Sequence, residues 1–219
     1  MRTIDRSPDY FESQYRDYEK QNPPQKLDHY LDVIDVRWAG GPADLLDLGC
    51  GRGAFLERAG LRHPTWGLYG TDIDAMGVET SQTRVPGAEV SLASADIQSH
   101  PDRSFDIVTA WDVIEHVEAT NDVATSIGAM LRPGGLFLFV VPVYDGPLGW
   151  AVKALDKDPT HLHKQGRNAW LEWAADRFEV IEWHGIFRYL IPGSHYIHHT
   201  THRMRNAATA ILVVCSPRP

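Results

Sequence analysis

The stretch LLDLGCGRGAFL, Leu45 to Leu56, decides how this chain of 219 residues folds. Leu45, Leu46 and Leu48 form a short apolar run, Gly49, Gly51 and Gly53 interrupt it, and Ala54, Phe55 and Leu56 resume it. The pattern predicts strand, glycine-rich turn and helix. Glycines adopt positive φ and let a ligand lie against the main chain, and ligands of open parallel sheets bind at the carboxyl ends of the strands. With Ala54 the turn also satisfies the dinucleotide pattern GxGxxG/A, so a nucleotide-type cofactor is expected here.

Working outward, short apolar segments alternate with amphipathic ones, which predicts a doubly wound, mostly parallel sheet with helices on both faces. Strands are expected at 44–48, 67–71, 89–93, 105–110, 136–141, 178–183 and 210–215, seven in all, the last pair allowing an antiparallel edge. The turn Arg132-Pro133-Gly134-Gly135 introduces the fifth. Upstream, Leu27, Leu31, Ile34 and Trp38 share one helical face between about Lys26 and Trp38. Ser7 and Pro8 open an earlier, tyrosine-rich helix, so residues 1–42 read as a helical cap and 43–219 as the main domain. The segments 144–167, expected to be irregular, and 184–206 fall outside the predicted sheet and its helices and are expected to be insertions on the acceptor side.

Two acids at strand ends extend the cofactor reading. Asp72 follows the second strand and can accept hydrogen bonds from both hydroxyls of a ribose; Asp96 follows the third and can accept an adenine amine. Taken singly, either residue also suits a helix cap or a loop.

Composition narrows the class. Apolar residues make up 43% and charged ones 23%, as in a globular chain, and no apolar run approaches the roughly 20 residues of a membrane span. The start carries no apolar leader segment. A net charge of −8 argues against nucleic acid or an anionic membrane as the main partner. Cys50 and Cys215 offer no disulfide framework, so a reducing, cytoplasmic setting is expected. Residues 161–219 hold 7 of the 11 histidines and are mildly basic, unlike the acidic remainder.

The ordered set LLDLGCGRG, YGTDID, SADIQ, SFDIVTAWDVIEHV and LRPGGLFLFVVP resembles the class I S-adenosylmethionine-dependent methyltransferases, over roughly residues 44–143. AWDVIEHV and the upstream QNPPQKLDHY are most similar to the small-molecule O-methyltransferases of the ubiquinone-biosynthesis type. The resemblance implies a Rossmann-like fold and S-adenosyl-L-methionine as cofactor. It also implies that Asp47, Gly49, Cys50, Gly51 and Gly53 surround the methionine part, and that Asp72 holds the ribose with Ile73 on the adenine. Asp96 and Ile97 would read the adenine edge and Trp111 would line the cofactor. Gln25 or Lys26 stands where the subgroup has a carboxylate-binding arginine.

The acceptor is expected to be a small molecule methylated at oxygen, with nitrogen and carbon open. A hydroxyl acceptor is helped by a base titrating near neutrality, so His161, His163 and His116 are the catalytic candidates, His161 first because Asp158-Pro159-Thr160-His161 resembles a segment bordering the acceptor pocket in such enzymes. Each also suits a structural role. His195, His198, His199 and His202 fall on one face if their segment is helical, but no acid or cysteine accompanies them in sequence, and no metal site is read. The competing classes are a nicotinamide-dependent oxidoreductase using the same turn and a non-catalytic module of the methyltransferase fold. Oligomeric state is not legible.

Overall fold

The computed structural model describes residues 18–39, 41–95, 103–156, 158–191 and 195–218. The expected tyrosine-rich helix that Ser7 and Pro8 open lies outside them as far as residue 17, as do Asp96 and Ile97; its end, Tyr18–Gln21, is helical.

Helices α1 (Tyr18–Gln21) and α2 (Pro24–Arg37) precede β1 (Asp44–Leu48), α3 (Ala54–Arg62), β2 (Gly67–Asp72), α4 (Ala75–Arg84), β3 (Glu89–Leu92) and β4 (Phe105–Trp111). Then come α5 (Thr120–Met130), β5 (Leu131–Pro142), α6 (Gly149–Leu155), α7 (Arg167–Arg177), β6 (Phe178–Ile191), β7 (His195–Thr201) and β8 (Ala210–Pro217). The sheet order is β3-β2-β1-β4-β5-β8-β6-β7. The first five strands run parallel, and β8, β6 and β7 add antiparallel pairs.

Alternating side chains feed two cores, one on each sheet face. Leu45, Ile107, Leu138 and Val140 pack under Leu27, Leu31 and Ile34 of α2 and Phe55 and Leu56 of α3. Leu46, Val108, Phe137 and Phe139 face Ile127 of α5 and Trp170 and Ala174 of α7. Residues 137–141 of β5 are fully buried. At about 1.5–3 kcal/mol for each large apolar side chain, that strand is a principal source of hydrophobic stabilisation.

The sheet has eight strands where seven were expected. The last three differ because the histidine-rich connection is neither loop nor helix. β6 runs on to Ile191 and pairs with β7 from Gly185↔Thr201 to Ile191↔His195. Strand alternation therefore replaces the helical face assumed for His195, His198, His199 and His202. His198 packs near His29 and Tyr30 of α2, whereas His199 is exposed. The Arg132–Gly135 turn is absorbed into β5 as an irregularity in register between Phe105↔Leu131 and Ile107↔Leu136. Part of 144–167 is helical, as α6.

Candidate active site

The carboxyl ends of β1, β2 and β4 open into a cavity of about 420 Å³, covered by Tyr18 and by Lys26, Leu27 and Tyr30 of α2. The glycine turn forms one wall. Gly49 has a φ of 67°, and a Cβ there would stand 2.4 Å from Val113 Cγ2. Gly51 donates its N–H to Asp72 Oδ2 at 2.7 Å, and Asp74 N–H donates to Asp72 Oδ1 at 2.9 Å. Two amides thus fix the carboxylate while each oxygen keeps acceptor capacity. Burial raises the Asp72 pKa against those hydrogen bonds. Gly53 does not line the cavity; with a φ of 78° it opens α3, close to Ser81.

Asp47 lies beneath the turn, 2% exposed, with Thr109 Oγ1 donating to its Oδ1 at 2.7 Å. Burial pushes its pKa up to about 8 against that hydrogen bond, and Asp72 adds to the rise, so Asp47 is mostly protonated at pH 7. Burial likewise raises the Cys50 thiol, which lines the cavity as an unreactive wall. The Tyr18 hydroxyl accepts from Ala54 N–H at 3.2 Å and donates to Cys50 O at 3.4 Å, tying the cap to the turn.

Trp111 and Ile73 complete the apolar lining. Trp111 stacks on Tyr30 at 4.3 Å and meets the edge of Phe55 at 5.1 Å. Of the two residues offered for a cofactor carboxylate, Gln25 is exposed and Lys26 lines the cavity. Lys26 Nζ donates to Gln21 O at 3.1 Å and Asn22 Oδ1 at 3.2 Å, and stands 4.0 Å from Asp112. Burial lowers its pKa to about 8, with Asp112 opposing. Asp112 has a φ of 59°, the one positive value outside glycine among the described residues, and its Oδ2 accepts from Arg188 Nη1 at 2.5 Å. Such backbone strain concentrates at functional sites.

Gln21, Lys26 and Asp112 also line a second cavity of about 580 Å³, walled by Ala151, Val152 and Leu155 of α6 and by Tyr144, Asp156, His161 and Arg188. His161 Nδ1 lies 2.9 Å from Asp156 Oδ2, an acceptor that also takes the Tyr144 hydroxyl at 2.5 Å and Lys164 Nζ at 2.8 Å. Burial opposes ionisation of Asp156, and the hydrogen bonds from Lys164, Tyr144 and His161 overcome it, holding the carboxyl well below its ordinary range. A proton on Nδ1 donated to Asp156 leaves the Nε2 lone pair available.

The other two histidines stand differently. His116 lines the first cavity and faces His161 at 4.6 Å between ring centroids; its Nδ1 meets Thr160 Oγ1 at 2.9 Å, and Thr160 donates to Asp158 at 2.6 Å. Burial, reinforced by His161, lowers its pKa to about 4, so the ring is neutral. His163 Nε2 donates to Val117 O at 2.8 Å and lines neither cavity, an anchor for its loop. Glu115 is fully buried, and neither carboxylate oxygen has a hydrogen-bond partner among the described residues. Burial, and then Asp112, hold its pKa well above the ordinary value. Ligand atoms of Glu115, His116 and His161 lie within 4.8 Å of one another, a donor set with the spacing to hold a divalent ion.

Tyr30, Asp112, Tyr144, Asp156 and Arg188 were missed as site residues from sequence. A polar Asp112 directly after the apolar β4 was the one available signal; the rest depend on long-range packing.

A glycine turn at the first strand end, an acid fixed at the second and an apolar cleft between them define an α/β protein of the nucleotide-cofactor class. The chain belongs to the methyltransferase domain family, which it matches over residues 18–203. The site's residues fit a nucleoside cofactor: main chain is accessible beside Gly49 and Gly51, and Asp72 retains acceptor capacity. An uncharacterized methyltransferase of Mycobacterium tuberculosis is 32% identical over 119 residues, 52% of this chain and 59% of that one. A ubiquinone biosynthesis O-methyltransferase of Burkholderia cenocepacia is 29% identical over 120 residues, 51% of each chain. The chain thus spans about half the length of the curated relatives it matches. The plantazolicin methyltransferase BpumL, solved with S-adenosylhomocysteine and a pentazolic desmethylPZN analog, shares the fold with a TM-score of 0.69 at 13% identity, over 97% of this chain and 92% of that one. Among the described residues no helix is long and apolar enough to cross a membrane.

Proposed function

We propose that this chain transfers a methyl group from S-adenosylmethionine to an oxygen of a small-molecule acceptor. The observation that carries this is the adjacency of the two cavities, which share Gln21, Lys26 and Asp112 in their walls, with the Asp156–His161 pair on the wall of the second. The ubiquinone-type relative supports oxygen as the target.

The bound cofactor supplies an electrophilic methyl group on a sulfonium. The protein's share is to bind, align and accept a proton. Asp72 holds the ribose hydroxyls, Ile73 and Trp111 pack on the nucleoside, and Asp96 and Ile97 read the adenine edge. The turn through Gly49, Cys50 and Gly51, supported by Asp47 and Gly53, receives the methionine part, and Lys26 faces its carboxylate. The acceptor enters over α6. His161, oriented by Asp156, takes the hydroxyl proton on Nε2, and neutral His116 braces the pair.

The test is methyl transfer from labelled S-adenosylmethionine to a panel of phenols, catechols and aliphatic alcohols, with product analysis, for the wild type and His161→Asn. Expected are O-methyl products and a kcat lowered by about 10²–10⁴ in the variant, with cofactor affinity unchanged. Unchanged turnover in His161→Asn overturns the base assignment. Products carrying the methyl on nitrogen overturn the acceptor chemistry. Binding of NAD without S-adenosylmethionine would return the oxidoreductase alternative.

A further inference from the structure

Where the two cavities adjoin, three acceptor groups meet with no hydrogen between them. Glu115 and His116 stand side by side in the 3₁₀ turn Ile114–His116 that follows β4. The loop carrying His161 is fastened against that turn, because Leu162 N–H and His163 N–H both donate to the Glu115 carbonyl oxygen, at 3.0 and 3.2 Å. The rings of His116 and His161 then face one another, and a ligand atom from each of them and from the Glu115 carboxylate all lie within 4.8 Å of one another. The protons of both rings point away. Asp156 Oδ2, 2.9 Å from His161 Nδ1, takes the proton of that nitrogen. Thr160 Oγ1 gives its one hydrogen to Asp158 and so accepts from His116 Nδ1 at 2.9 Å. Each ring thus keeps its lone pair on Nε2. The Glu115 carboxylate, fully buried, has no hydrogen-bond donor on either oxygen among the described residues, while Arg188 and Lys164, the cations of this region, hydrogen-bond Asp112 and Asp156. Buried charges are paired or coordinate metals, and acceptors gathered without a donor call for a cation.

We infer that Glu115, His116 and His161 bind a divalent transition-metal ion of the zinc class. Two imidazoles and one carboxylate are a ligand set such ions take, with the remaining positions open. Ligand atoms 2.0–2.1 Å from a tetrahedral ion stand about 3.4 Å apart, so binding asks the three groups to close by about 1.4 Å at most. The Nδ1 hydrogen bonds, His161 to Asp156 and His116 to Thr160 and through it Asp158, are the outer partners that fix the tautomer and aim of a ligating histidine. His116 lines the first cavity and His161 the second, so the open positions face the place where cofactor and acceptor would meet. The ion takes the Nε2 lone pair that His161 otherwise offers to an acceptor proton. Ligation and base catalysis are then alternative states of one ring, a consequence that, unlike the site itself, rests on the proposed O-methylation.

The experiment is zinc titration of the full chain without a histidine tag, by calorimetry and by competition with a chromogenic chelator, with cobalt substitution to read coordination. Glu115→Gln, His116→Asn and His161→Asn are compared with His199→Asn, an exposed histidine outside the site, each checked for folding by circular dichroism. Expected are one ion per chain, a four- or five-coordinate cobalt spectrum and a zinc-dependent rise in Tm; affinity falls at least about tenfold in each of the first three variants and is unchanged in His199→Asn. Asp156→Asn, which alters only the partner of His161 Nδ1, should weaken zinc by about 10–100-fold. No zinc binding by the folded wild type overturns the inference, and so does binding retained in Glu115→Gln, His116→Asn and His161→Asn. If Glu115→Gln fails to fold, His161→Asn, on the wall of the second cavity, decides. None of these readouts uses methyl transfer, so failure of the ion site and failure of the O-methylation reading are told apart.

Discussion

Asp47→Asn tests whether a carboxyl beneath the glycine turn is held neutral. In the folded chain burial moves its pKa from the ordinary 3.8 to about 8. The folded state therefore binds the proton more tightly than the unfolded one. For a raised acid, stability is greatest below the unfolded pKa and falls as pH rises from about 4 to about 8. At about 1.4 kcal/mol per pK unit, the full effect is about 6 kcal/mol, and about 4 kcal/mol of it falls between pH 5 and pH 8. Asparagine has the same shape, keeps an oxygen for the Thr109 hydroxyl and has no charge to desolvate. The variant should accordingly gain on the wild type by about 4 kcal/mol between pH 5 and pH 8, measured by urea unfolding at each pH. Comparing the two proteins largely cancels the other raised acids, Asp72 and Glu115, which pull in the same direction. Parallel stability curves for variant and wild type across that range would refute the argument.

Gly49→Ala should cost about 2–5 kcal/mol of stability, from left-handed backbone and the 2.4 Å approach to Val113; adding Val113→Ala should recover the steric part alone in a double-mutant cycle of denaturant melts. Asp72→Ala should abolish micromolar S-adenosylmethionine binding in calorimetry while the circular dichroism spectrum stays that of a folded protein. Its amide partners Gly51 and Asp74 bracket the site but are not in the core. Arg188→Met leaves Asp112 beside Lys26 alone, and with both members of the lost pair partly exposed the cost should be about 1–3 kcal/mol, read as a drop in Tm.

The half of the site legible in sequence is the half encoded locally. Gly49, Gly51 and Asp47 sit within a few residues of the strand that aims them, and Asp72 ends the strand paired beside it, with Leu48 opposite Thr71. Period and turn chemistry suffice for such positions, which is why the five parallel strands and the glycine turn at the carboxyl end of the first are legible in the sequence. His161 was found through a resemblance and His116 through its motif, but the groups that decide their chemistry were not. Asp156 and Tyr144 orient His161 from a segment read as irregular, and α6 within it lacks a strong cap or acid to announce a helix.

The histidine-rich end shows why the remainder was hidden. Helical spacing in His195 to His202 is equally a strand with two alternating faces, and only pairing with β6 chooses between them. That pairing sets Arg188 opposite His198, and Arg188 then reaches Asp112 across 76 residues of sequence. The β6–β7 pairing thus sets His198 beside His29 and Tyr30, while the β6–β8 ladder, through His184↔Leu212 and Ile186↔Ala210, places the strand that carries Arg188 to Asp112. A slip of β7 by one residue would turn His198 away from His29 and Tyr30. The basic, histidine-rich bias of residues 161–219 is thus less a property of the surface than of one strand pairing, which joins the cap, the sheet edge and the proposed acceptor cavity.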